Sequence, residues 1–406
     1  MDMQEHRLSI RIAQIIASEG VHAMTADGVA CKAIPFSRYM GLCLYDEQEG
    51  YYRSGSVRTG REGDFYTSGA VGGIMGQMLA RFIQRAAIGN RGESIIAEWG
   101  AGTGAMTAQM LEAWGEERSE WLRQVEYKVI DDHPLHLQAA HQRIEAYRQK
   151  GSGVTIQSIS YDSSSEAIEA LGKLAEDRHV IIAANELIDA MPVHRVVQRD
   201  GKLLELGVSL SKREDGIRFQ WARMPLSSNA IAQSIEADGI PMAEGQETEV
   251  NLAAEHWIAR MGEIVRSGML ILIDYGHRAE EYRAPHRMNG TMLCYKQHLA
   301  HDDPFIFPGG QDITAHVNFT ALRRAAEQAG WTVAEETTQL QFLIGQGVLD
   351  LLRSHQDRDP FSETAKRNRA IRQLLLSDGM SETFKIIVMT KGEFRIERIQ
   401  KQPESL

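Results

Sequence analysis

The run Glu98-Trp99-Gly100-Ala101-Gly102-Thr103-Gly104 ends an apolar stretch and opens an amphipathic one. Glycines at such a strand-to-helix turn keep the turn tight and let the backbone approach a ligand. Read on through Ala105, the same string matches the fingerprint of dinucleotide-binding proteins, so the glycines alone leave two cofactor classes open. Glu98 separates them. A carboxylate two residues before the first glycine repels a pyrophosphate. It makes a charge-assisted contact with a cationic amino group such as that of S-adenosyl-L-methionine (SAM). Asp131 follows the next apolar run, where an acidic side chain can accept both hydroxyls of a ribose; Asp132 is its stand-in, or the two form a solvated acidic turn. Asp162 follows a third run and is placed either to take an adenine amino group or to cap the helix beginning at Ser163.

A second group lies in Asn185-Glu186-Leu187-Ile188-Asp189-Ala190-Met191-Pro192-Val193-His194-Arg195. If this segment makes a helical turn, Glu186 and Asp189, at i and i+3, share one face, and Pro192 ends the turn. Two carboxylates aimed together can grip a guanidinium by paired charge-assisted bonds; otherwise they form a solvated or capping acidic turn. Such a grip draws positive charge toward one nitrogen and leaves another better able to attack an electrophilic methyl group. Methyl transfer is an in-line displacement, so positioning and field carry most of its acceleration. His316 precedes a helical pattern and can accept the released proton, orient an acid, or simply be structural. His133/His136 and His298/His301 form HxxH pairs without acidic or cysteine companions at ligand spacing, which reads as surface histidine rather than a metal site.

These groups need a scaffold, and the apolar pattern supplies one. Ile95–Trp99, Tyr127–Ile130, Val154–Ile159, Val180–Ala184, Leu270–Ile273, Trp331–Glu335 and Phe384–Met389 read as strands. Amphipathic helices such as Met106–Trp114, Leu135–Arg148 and Phe319–Ala329 follow most of them. That alternation predicts an α/β fold with a mainly parallel seven-stranded sheet covered on both faces. Residues 1–93 read as a helical region with glycine-rich connections, including a Gly-, Arg- and Tyr-rich loop from Tyr51 to Ser68. The sheet-building core is then split into 94–193 and 263–392. Between them, 194–262 reads as an antiparallel β-meander turning at Asp200-Gly201 and Asp215-Gly216. Residues 277–317 read as an irregular loop insertion, and 393–406 as a polar tail.

Of the 406 residues, 43% are hydrophobic and 24% charged, and the formal net charge is -11. An acidic balance argues against a general nucleic-acid binder, which needs positive surface for phosphates. Three scattered cysteines fit reduced thiols better than a disulfide framework. The first residues have neither signal- nor transit-peptide layout, and no apolar run is long enough to cross a bilayer. The expectation is a cytoplasmic protein without membrane insertion, with homodimerisation through the N-terminal helices or the meander open to it.

Taken together, Gly50-Tyr51-Tyr52, Gly63-Asp64-Phe65-Tyr66-Thr67-Ser68, Glu98 to Gly104, Asn185-Glu186 with Asp189-Ala190 and Pro192 to Arg195, Asp274-Tyr275-Gly276, and Asp312 to Phe319 resemble the MidA-type methyltransferases. The likeness spans about residues 36 to 390. It implies a class I (Rossmann-like) SAM methyltransferase fold, with the Asp64–Thr67 segment closing over the cofactor. It also implies a protein arginine as acceptor, since mitochondrial members of the family assemble respiratory complex I and methylate an arginine of a core subunit. The chain departs from the family at Gly69, where a proline is usual, at Trp99 to Gly104, and at Asp131 to Pro134; the glycines and the acidic ribose position survive. The residues expected to hold SAM are Glu98, Gly100, Ala101, Gly102, Gly104, Asp131, Asp162 and Asn185, with Asp64 and Thr67 from the covering segment. Glu186 and Asp189 are expected to hold a guanidinium, with His316 and Tyr66 shaping the reacting site. A small-molecule acceptor, or an assembly factor that binds SAM without essential catalysis, are the alternatives.

Overall fold

The computed structural model describes residues 3–53, 73–117, 120–150, 156, 158–211, 216–282, 284–352, 359, 362–376 and 383–396. The chain opens with α1 (Met3–Glu19), β1 (Val21–Thr25), β2 (Ala30–Pro35), α2 (Phe36–Tyr45) and α3 (Ile74–Ile88). The first half of the core follows: β3 (Ser94–Trp99), α4 (Ala105–Glu117), β4 (Glu126–Ile130), α5 (Pro134–Gln149), β5 (Ser158–Asp162), α6 (Ser164–Leu174) and β6 (His179–Asn185). Next come β7 (His194–Arg199), β8 (Lys202–Leu210), β9 (Phe219–Met224), α7 (Asn229–Ala237), β10 (Glu247–Val250) and α8 (Leu252–Ile264). After β11 (Gly268–His277) and α9 (Ala279–Tyr282) lie β12 (Leu293–Lys296), β13 (Leu299–His301), β14 (Asp312–Thr314) and β15 (Val317–Asn318). The chain closes through α10 (Phe319–Gln328), β16 (Thr332–Thr338), α11 (Gln339–Gly345), α12 (Glu363–Leu376) and β17 (Phe384–Lys391).

Seven strands form the central sheet in the order β16-β17-β11-β6-β3-β4-β5, with β15 added at the end of β11. The five from β11 to β5 run parallel, and β17 inserts antiparallel between β11 and β16. Strands β3 and β6 are apolar on both sides because helices cover both faces. One core joins the sheet to α3, α4, α5, α11 and α12; the other joins it to α6, α8 and α10. This is the expected class I arrangement. Strand order reverses between β3 and β6, so the crevice for a ligand opens at their carboxyl ends. The third strand lies later than expected, at Ser158–Asp162, because its register follows β4, which pairs Ile130 with Asp162.

The N-terminal region is not purely helical. β1 and β2 form a hairpin that joins the meander, and β8, β2, β1 and β9 close on one another in a ring, with β7 and β10 extending it. Asp27-Gly28 carries the same turn signal as Asp200-Gly201, with Gly28 at φ 79°. The flanking runs are short and alanine-rich, so their alternation is weak. The 277–317 insertion also differs from expectation: it holds the three-stranded sheet β13-β12-β14. Its hairpin turns on Gln297 and His298 in left-handed backbone. Closure of the ring leaves no room at Gly207, where a Cβ would sit 2.7 Å from the Ile34 carbonyl and 2.5 Å from Met224 Sδ. Gly207→Val is expected to destabilise the protein by about 1–3 kcal/mol, read as a lower Tm in calorimetry.

Candidate functional site

The glycine turn sits at the reversal point. Gly100 and Ala101 N–H groups both donate to the Ile130 carbonyl, at 2.9 and 3.0 Å, which fastens the turn to the end of β4. Gly102 and Gly104 adopt φ 53° and 68°, a region that side chains disfavour. A Cβ on Gly104 would lie 2.8 Å from Ala140 Cβ in α5, so this glycine serves helix-to-turn packing. A Cβ on Gly102 would meet nothing within 4 Å, so here the bare backbone faces open space. Such a cradle fits a cofactor that must approach main-chain atoms closely.

Asp131 stands beside the cradle. Its Oδ2 accepts from Gly102 N–H at 2.9 Å, and its Oδ1 from His133 N–H at 2.9 Å, with His136 Nδ1 at 3.1 Å. Burial alone would raise this carboxyl, but His136 and the two amides outweigh it and hold the pKa below the usual range. Asp131 therefore keeps its charge. His133 and His136 are buried and ring-stacked at 4.6 Å, not surface residues as expected, because one caps α5 and the other braces Asp131. Glu98 is buried behind the turn, bonded to the Thr107 hydroxyl. Burial pushes it up to about 7 against that hydrogen bond, so a nearby cationic group would favour its ionised form. Asp162 does not cap α6; Ser163 does, in a capping box with Glu166. The Asp162 carboxylate lies 3.1 Å from Lys128 Nζ on the neighbouring strand.

Opposite the cradle, β6 ends at Asn185 and Glu186 follows at φ 50°, a left-handed backbone at a residue other than glycine. Its N–H donates to the Ile273 carbonyl of β11 at 2.8 Å. Backbone of this kind marks functional positions, at about 1–3 kcal/mol of strain. Residues 186–193 consequently form bends and one turn rather than a helical turn. The expected sharing of a helix face by Glu186 and Asp189 is thus corrected. Asp189 is only 6% exposed, while Glu186 is half-buried. The carboxylate tied to the Asp189 segment is Asp274, at the end of β11 and 1% exposed. Asp274 Oδ2 accepts from Ile188 and Asp189 N–H at 2.9 and 3.3 Å. Burial raises Asp189 to about 6, opposed by a hydrogen bond from Tyr275. Burial, then the charges of Asp189 and Glu186, push Asp274 far above the carboxylate range. Among the described residues Asp189 Oδ1 has no hydrogen-bond partner, and neither acid has a basic group at ion-pair distance.

His316 follows β14. Its backbone N–H donates to Thr291 Oγ1 at 3.1 Å, and its ring stands edge-on to Tyr275 at 5.4 Å. Burial, then His277, Arg287 and Lys385, push its pKa down to about 3. A ring neutral at all physiological pH is a poor proton acceptor, which tells against the general-base role open to it from the sequence. Removing a general base lowers rate by about 100- to 10,000-fold. His316→Gln is instead expected to lower kcat less than about tenfold, with an unchanged pH profile in methyl-transfer assays.

Asn185 lies at the crevice, with its Nδ2 3.2 Å from Glu186 Oε1. Asp64, Tyr66 and Thr67 fall outside the described residues. Asp274, Tyr275 and Asp312 carry no spacing signal that assigns them a role, because their partners are distant in sequence. Among the described residues no group of His, Cys, Asp and Glu side chains is arranged to hold a metal ion. No helix there is long and apolar enough to cross a membrane.

Residues 75–337 match a family of S-adenosyl-L-methionine-dependent methyltransferases. The chain is 26% identical over 336 residues to the mitochondrial protein arginine methyltransferase NDUFAF7 homolog of Drosophila melanogaster, covering 79% of this chain and 74% of that protein. It is 25% identical over 335 residues to the mitochondrial protein arginine methyltransferase NDUFAF7 of Xenopus laevis, covering 78% and 71%. A COG1565 superfamily member from Burkholderia thailandensis, crystallised with S-adenosyl-homocysteine, superposes with a TM-score of 0.81 at 30% identity, over 96% of this chain and 93% of that one. With the glycine cradle and its ionised Asp131 at the strand-order reversal, these likenesses establish that the chain belongs to the MidA-type family of SAM-dependent methyltransferases.

Proposed function

We propose that the methyl acceptor is an arginine side chain of a partner protein. The observation that carries this reading is Asp189: a buried carboxylate with an unpartnered oxygen, whose own backbone amide is held by a second buried acid, Asp274. A buried carboxylate with an open oxygen calls for a cation, and a guanidinium is the protein side chain best shaped to meet it. The relatives named as arginine methyltransferases support the same choice.

SAM, when bound, supplies a methyl group on a sulfonium centre. Gly100, Ala101, Gly102 and Gly104 would line its approach, and Asp131 would take the ribose. Glu98 would compensate the amino group from behind the turn; Asp162 and Asn185 flank the site, and Asp64, Thr67 and Tyr66 would cover it. Asp189, with Glu186 at the rim, holds the guanidinium and draws positive charge toward itself. The nitrogen left facing the crevice would be the one presented to the methyl group, since positioning and field carry most of such a displacement. The surplus proton passes to the Asp189 carboxylate and on to water. The three unbridged cysteines fit a reducing compartment, and a cytoplasmic site of action belongs to this reading.

The test is transfer from isotope-labelled SAM into an extract of cells lacking this protein, followed by acid hydrolysis of the protein fraction. Labelled methylarginine with the native enzyme supports the proposal. Label confined to small molecules overturns it.

A further inference from the structure

Besides the cofactor cradle and the Asp189–Asp274 pair, three other elements converge on the same spot. Tyr45 ends α2, and its hydroxyl donates to the Ala190 carbonyl at 3.0 Å, next to Asp189. Tyr52, in the turn after α2, stacks on Tyr45 at 5.7 Å and 24°. The Tyr52 hydroxyl donates to Asp312 Oδ1 at 2.9 Å. Asp312 opens β14 and is fully buried, and it pairs in register with Tyr295 of β12. Three residues on, Ala315 N–H donates to the Asp189 carbonyl at 3.0 Å, which fixes the end of β14 against the Asp189 segment.

The result is a cluster in which two buried acids, Asp189 and Asp312, are joined through phenol side chains. Tyr45, Tyr52 and Tyr295 are each pushed upward, by burial first and then by the negative charges of both Asp312 and Asp189. The stacked pair Tyr45 and Tyr52 bridges the two acid-bearing segments, one hydroxyl on the Ala190 carbonyl beside Asp189 and the other on Asp312. Glu186, by contrast, is half-buried and turned by its left-handed backbone. One carboxylate in a site selects for charge alone. Two that bracket a flat wall select for a planar group with donors on more than one edge, and a guanidinium has five donors in such a fork.

We propose that Asp312, held by Tyr52, is the inner partner of Asp189 in the acceptor subsite, and that this pair with its tyrosine wall selects a guanidinium over an ammonium or a neutral side chain. The inference rests on the reading that the acceptor is an arginine, and it adds the residues that make the choice. Asp312 and Tyr52 are specificity-determining groups in contact with the acceptor, whereas Asp274 is a positioning residue acting through the Ile188 and Asp189 amides.

The test is calorimetric titration of the full chain, saturated with S-adenosyl-homocysteine, with a capped arginine tripeptide and its lysine and citrulline counterparts. The wild type is expected to bind the arginine peptide at least about tenfold more tightly than either counterpart, the scale of a charge-assisted contact. Asp312→Asn is expected to weaken arginine binding about 10- to 100-fold while leaving citrulline binding and S-adenosyl-homocysteine affinity unchanged. Tyr52→Phe, which keeps the ring, is expected to reproduce the loss in part, and Asp312→Glu to restore some of it. A merely structural Asp312 would weaken all three peptides or the cofactor product together, and that outcome overturns the proposal. Wild-type selectivity in Asp312→Asn overturns it too, as does absence of arginine binding at millimolar peptide. Methylarginine formed in protein with unchanged selectivity in Asp312→Asn would leave the arginine reading standing and remove this one. Asp312-dependent arginine binding without methylarginine in any protein would do the reverse.

Discussion

Asp189→Asn is expected to lower kcat for methyl transfer by about 100- to 1,000-fold, the scale of losing one electrostatic contact made to a reacting group in a dry site. S-adenosyl-homocysteine affinity should stay within about threefold of the wild type, because the proposal gives this side chain to the acceptor and not to the cradle. The amide keeps the shape of the carboxylate but carries no charge to hold a guanidinium. Two further readouts separate this role from a structural one. Asp189 titrates near 6 because it is buried, and only its ionised form binds a cation. Wild-type activity should therefore fall below about pH 6, and the variant's residual activity should lack that limb. The second readout is stability. A carboxyl whose folded pKa lies above its unfolded value makes the protein more stable at low pH. That advantage is lost as pH rises from about 4 to about 6, and the deficit stays level above that. At neutral pH the asparagine variant, with no charge to bury, should melt at or above the wild-type Tm. A matching loss in turnover and cofactor affinity, or a lowered Tm, would remove Asp189 from the acceptor subsite.

What the sequence made legible follows from the range of the interactions involved. β3, β6 and β11 stand out because a strand buried on both faces must be a continuous apolar run. The cradle stands out because three glycines with positive φ must be written into alternate positions of one short run. Long-range pairing leaves no such mark. Met24 lies against Arg223 in the closed ring, and Asp189 takes its register from Asp274, yet each pair is far apart in sequence. Glu186 was the least readable residue of all: a helical spacing with Asp189 was visible, but the bond from its amide to Ile273, which breaks that spacing, depends on β11 being next to β6. Asp162 shows the opposite case. Its choice between capping and ligand binding was open from spacing, and the neighbouring serine, with Glu166 three residues on, took the cap.

Two glycines of the turn are also expected to part company under substitution, which separates folding from binding at a single motif. Gly104→Ala puts a methyl group 2.8 Å from Ala140 Cβ in left-handed backbone. Strain of about 1–2 kcal/mol and overpacking of about 1–3 kcal/mol add there, so this variant should lose several degrees of Tm. Gly102→Ala meets no neighbour and carries only the backbone strain, about 1–2 kcal/mol. Its methyl group, however, occupies the face that SAM must approach, and SAM affinity is expected to fall about 10- to 100-fold, a steric loss of about 1.4–2.8 kcal/mol. Thermal scans with and without SAM read both effects at once. At 100 times the Kd, the ligand stabilises the wild type by about 2.7 kcal/mol. Gly104→Ala should start lower and keep most of that gain if it folds, whereas Gly102→Ala should start near the wild type and lose most of it. A full ligand-induced shift in Gly102→Ala would mean that the cofactor does not run along this backbone. The open side of the turn would then need another occupant, even with Asp131 still ionised beside it.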